Sequence, residues 1–139
     1  KEQAKRPFRH LPKQFSKGIL IGNIAIVPKK HTGTRYVYVI ADMIEAKILH
    51  DDINLKQTAI LVANHIAEGN DPPKTILDYD THFASKLFEI RSAKTMMKQA
   101  QKGENDAMEG AYTQRLENAN DLADEYKAKI QSIFQSTFR

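Results

Sequence analysis

The chain has 139 residues, enough for one domain, with 41% hydrophobic and 27% charged content, which argues against wholesale disorder. It has no cysteine, which excludes disulfides, thiolate zinc sites and cysteine nucleophiles, and no apolar run approaches the ~20 residues of a membrane-spanning helix. The net charge of +4 is concentrated at one end: Lys1, Lys5, Arg6, Arg9, Lys13 and Lys17 stand against the single acid Glu2, so the body of the chain is almost neutral.

Residues 1–17 contain Pro7 and Pro12 and no apolar period. They read as a basic extended arm, with Phe8, Leu11 and Phe15 as anchors onto a neighbour, or as a solvated terminus. They are basic and polar and are not expected to be a signal peptide.

Residues 18–72 read as a strand-rich subdomain with one helix. Residues 18–28 are rich in β-branched side chains and end at Pro28, as a strand does. Residues 29–34 are polar with Gly33 and read as a loop. Residues 35–42, RYVYVIAD, form a second strand, and residues 46–50 a third after a turn at 42–45. Such short connections predict an antiparallel meander of three strands with one face needing a cover.

That cover is the next helix. Asn54 and Gln57 have capping-box spacing, and Leu55, Ala59, Val62, Ala63 and Ile66 recur on one helical face. Gly69 and Pro72-Pro73 stop it.

Residues 73–139 predict a long antiparallel helical hairpin. The first helix starts directly after Pro73 or near Asp78 and carries Phe83, Leu87, Ile90 and Met97; residues 103–106 break it. In the second, Tyr112, Leu116, Ala119, Ala123, Tyr126, Ile130, Ile133 and Thr137 hold close to a heptad, widened by Leu122, Phe134 and Phe138. Ala93, Ala100, Ala107, Ala111, Ala119 and Ala123 allow close approach of the two axes. The fold class is thus α+β, a small antiparallel sheet with a packing helix followed by the hairpin.

No phosphate-binding glycine loop is present, since Gly18, Gly22 and Gly33 fall in strands or a hairpin loop. The acids and histidines at His50-Asp51-Asp52 and Asp78-Tyr79-Asp80-Thr81-His82 lack metal-ligand spacing, and carboxylates before or inside a first helical turn are explained by the helix dipole. The five histidines are scattered, with no nucleophile motif beside them. The reading is a non-enzymatic protein without metal or cofactor.

Two binding modes remain. The last helix stays apolar to its end, and Tyr126, Ile130, Ile133, Phe134 and Phe138 are candidate partner-binding residues; they pack on the protein's own sheet, on a second copy or on another protein. The alternative is nucleic acid, met by Lys5, Arg6, Arg9, Lys13 and Lys17 of the arm and by Lys29 and Lys30, with Tyr36 and Tyr38 on an exposed sheet face.

The strand from Arg35, the run 46–70 (AKILHDDINLKQTAILVANHIAEGN), Ile76-Leu77-Asp78-Tyr79-Asp80 and the helical hairpin resemble small uncharacterised proteins of marine contractile-tailed phages. The resemblance implies a phage origin: a virion component, or an accessory protein in the host cytoplasm. No catalytic residue follows from it.

Overall fold

The computed structural model describes residues 18–32 and 35–138. Four antiparallel strands, β1 (Ile19–Ile21), β2 (Ile24–Thr32), β3 (Arg35–Asp42) and β4 (Lys47–Ile53), lie in sequence order as a meander. Three helices follow: α1 (Lys56–Ala67), α2 (Lys74–Lys102) and α3 (Asp106–Thr137). The α+β class and the helical hairpin of α2 on α3 agree with expectation; the sheet has one strand more than expected. The basic arm lies outside the described residues.

The extra strand arises because Gly22 turns the chain inside the 18–28 run. Its φ of +58° sits at the first central position of a two-residue hairpin, where glycine avoids the clash a Cβ would bring. The expected loop at 29–34 is a second correction, for β2 runs on through Thr32. Pro28 is tolerated inside β2 because the outermost β1–β2 pair is Ile19↔Ile26. Beyond it β2 is itself an edge among the described residues, where a missing donor costs no ladder bond.

Asp42 closes the β3–β4 turn, its Oδ1 accepting from the amides of Ile44 (2.9 Å) and Glu45 (3.0 Å). Ala46 completes the turn at φ +58°, and β4 extends to Ile53 rather than His50.

On one sheet face Ile24, Ile26, Ile40 and Ile53 pack against Ala59, Val62 and Ala63 of α1. On the other, Val27, Val37, Val39 and Ala41 are buried as well, so β2 and β3 are apolar on both sides. Helix α1 ends as expected at Gly69 (φ +84°): Gly69 N donates to Ile66 O (2.9 Å) and Asn70 N to His65 O (2.8 Å), the double closure of a Schellman motif.

The start of α1 departs from the capping box. Its N-cap is Leu55, which has no capping side chain, and Asn54 instead accepts from Arg35. The missing acceptor comes from α2, as described below. Helix α2 begins directly after Pro73. It ends one residue later than its glycine suggests, for Gly103 has φ −86° while Glu104 takes the left-handed position at φ +54°. Asn105 then caps α3, accepting from Met108 N at 3.1 Å.

Candidate protein-contact site

The hairpin has two parts with different surroundings. Its base meets the rest of the chain through Ile76, Leu77, Tyr79 and Asp80 of α2 and Ile130, Ile133 and Phe134 of α3. Ile130 is fully buried with Leu61 and Ile76, flanked by Leu55, Tyr79, Ile133 and Phe134. Tyr126 lies 6.2 Å from the Tyr79 ring and 5.2 Å from His82, with Lys129 Nζ 5.2 Å above Tyr79. Phe138 leans on Phe134 (4.9 Å between centroids) and remains 42% exposed. Of the five residues singled out for partner binding, four are thus engaged within the chain, and Phe138 alone presents a large open surface. The cover over the apolar end is α1 and the first turns of α2.

Asp80 locks this base. It is 3% exposed, and its carboxylate accepts from three donors: Asn54 N (2.8 Å), Asn54 Nδ2 (3.1 Å) and Leu55 N (2.9 Å). These satisfy backbone amides at the start of α1 that the local sequence leaves open. Burial raises the carboxyl above its usual range, while the Asn54 and Leu55 donors pull it back down. The buried Thr58 hydroxyl stands near the carboxylate and favours its charge without reaching hydrogen-bond geometry. The sequence suggested that Asp80 serves its own helix dipole; its acceptors instead serve another helix, 26 residues earlier in the chain.

Beyond Phe83 on α2 and before Tyr126 on α3 the two helices form an arm of about 30 Å, at 1.5 Å per residue. Its buried positions are Ala93, Ala100, Ala119 and Ala123, four of the six alanines expected at the seam; Ala107 and Ala111 are exposed. The larger apolar side chains Phe83, Leu87, Ile90, Met96, Met97 and Leu116 are only half-buried. A pair of helices alone cannot enclose a full apolar stripe on each.

One face of the arm opens into a groove of about 280 Å³ lined by Phe88, Ser92, Ala93, Tyr112, Ala119 and Leu122. Phe88 stands at its edge 69% exposed, and Leu122 is 36% exposed. Glu89 and Arg115, one from each helix, also line it. Glu89 pairs with Lys86 at 3.0 Å, and the Arg115 guanidinium lies 5.5 Å from the Tyr112 ring centroid. The opposite flank is different. Helical spacing gathers exposed Lys94, Lys98 and Lys102 on α2 and exposed Glu117 and Asp124 on α3 there. The sequence reading missed Phe88 because it falls outside the heptad; an aromatic residue next to Leu87 but one position off the apolar stripe was the available signal.

The residues of the alternative mode are divided. Lys5, Arg6, Arg9, Lys13 and Lys17 lie outside the described residues. Lys29 is half-buried and Lys30 exposed on the outer part of β2, where Lys30 pairs in register with Tyr36, which is 51% exposed. Tyr38 differs, packing against the core.

Among the described residues no three His, Asp or Glu side chains converge as a metal site, and no helix is long and apolar enough to cross a membrane. Comparison with family models, with curated proteins and with solved structures yields no match.

Proposed function

We propose that this is a non-enzymatic assembly protein that works through protein–protein contacts made by its helical arm. The observation that carries the reading is the groove at Phe88. A phenyl ring 69% exposed, beside a concavity floored by Ala93 and Ala119, leaves apolar surface in water that a partner helix would cover. The base of the hairpin, by contrast, is closed by its own contacts. The resemblance to phage proteins would place such assembly in a phage particle or in the infected host.

A photo-crosslinking phenylalanine analogue at position 88, introduced in cells that make the protein, tests the reading. The expected result is a covalent adduct of discrete mass from position 88 and none from exposed position 101. No adduct above that control would overturn it.

A second reading, nucleic-acid binding, draws support from the Lys30–Tyr36 pair, since an exposed ring beside ammonium groups suits base stacking with phosphate contact. Its test is anisotropy of a labelled single-stranded oligonucleotide over a salt series. Binding that weakens in Tyr36→Ala, with a shallower salt dependence in Lys30→Glu, would favour it. Absence of binding at low salt would exclude it.

A further inference from the structure

We propose that the groove on the arm is filled by a second copy of this chain, α2 of one copy lying across α3 of the other as a four-helix bundle. This rests on the reading of the arm as a protein-contact site and names its partner.

Three features of the patch fit it to itself. First, it carries a projection and a recess together: the exposed Phe88 ring stands beside a hollow whose floor is the small side chains of Ala93 and Ala119. A two-fold contact brings the same patch of both copies together, so each Phe88 has the other copy's hollow to enter. Second, the charges complement each other across such an axis. Glu89 and Arg115 are the charged side chains lining the groove, of opposite sign and on different helices. Crossing α2 over α3 sets each beside the other's counterpart, whereas a crossing of α2 on α2 would set like charges together. Third, the remaining polar lining, Ser92 and Asn118, is uncharged and suits a wet interface, while Lys94, Lys98, Lys102, Glu117 and Asp124 stay on the opposite flank in water.

The size is adequate. An arm about 30 Å long and two helices wide presents roughly 600 Å² per copy, at the lower end of specific interfaces. Antiparallel hairpins that pair in this way give each helix two neighbours and extend the cover to half-buried Met96, one turn on from Ser92.

The test uses the purified full chain, its mass followed by light scattering and sedimentation from about 1 to 100 µM. A dimer is expected. Phe88→Ser should weaken it at least about tenfold with the helical circular dichroism retained, because the ring is exposed in the single chain. Glu89→Arg and Arg115→Glu should each weaken it by a similar factor, and the double exchange should recover most of the loss. Recovery in the double variant is a result that mere damage to the fold does not produce. A monomer throughout the range, or a dimer indifferent to all three single substitutions, would overturn the inference. A monomer whose position-88 crosslinker still captures a different protein of discrete mass would overturn self-pairing alone. A monomer with no crosslinked adduct would overturn both this inference and the contact reading beneath it.

Discussion

Asp80 Oδ1 accepts the amide of Leu55 at 2.9 Å while its Oδ2 accepts the amide of Asn54 at 2.8 Å, so a side chain of α2 caps α1. One carboxylate thereby joins the end of the sheet, the start of α1 and the base of the hairpin. Asparagine has only one acceptor oxygen, and its amide nitrogen would face a donor. Asp80→Asn should therefore cost about 1–3 kcal/mol and Asp80→Ala at least as much, read from urea unfolding. An unchanged midpoint in both would show that the joint is held by packing alone.

The pH dependence of this joint has a definite sign. Burial raises the folded Asp80 carboxyl above its usual 3.8, so the folded chain holds that proton more tightly than the unfolded chain. Its contribution is fully present below the unfolded value and declines as pH rises through the raised one. The stability advantage of the wild type over Asp80→Asn should narrow as pH rises above about 4. Widening with rising pH would mean that the amide donors outweigh burial.

Ile130, fully buried against Leu61 and Ile76, carries much of the attachment of α3 to α1. Ile130→Ala is expected to destabilise by about 2–5 kcal/mol. Phe138→Ala, at a ring 42% exposed at the end of the helix, should cost less than about 1 kcal/mol. Chemical denaturation of the two variants side by side checks the contrast; equal losses would place the apolar end elsewhere than described.

Glu104 and Ala46 both hold positive φ, at +54° and +58°. Left-handed backbone costs a residue with a Cβ about 1–2 kcal/mol, part of which glycine returns as greater freedom in the unfolded chain. Glu104→Gly and Ala46→Gly should each raise stability by roughly 0.5–1 kcal/mol, visible as a higher thermal midpoint. A fall would locate a stabilising role in the replaced side chain.

Local chemistry made much of the fold legible in the sequence. Gly69 with Pro72-Pro73 ends α1, the polar break at 103–105 turns the hairpin, and β-branched runs mark the strands, because each depends on residues a few positions apart. The extra hairpin was also written locally, in Gly22-Asn23 between two β-branched runs, and was passed over; the continuation of β2 past Pro28 was not legible, since it depends on which edge of β2 has a neighbour. Tertiary structure also decided the roles of side chains. Asp80 and Leu55 meet only when α2 packs beside α1, and Ile130 and Phe134 find their cover from the same docking. The sequence separates apolar from polar positions, but whether an apolar residue is enclosed or left open depends on the surface brought against it. By that criterion Ile130 and Phe134 are enclosed and Phe88 remains open.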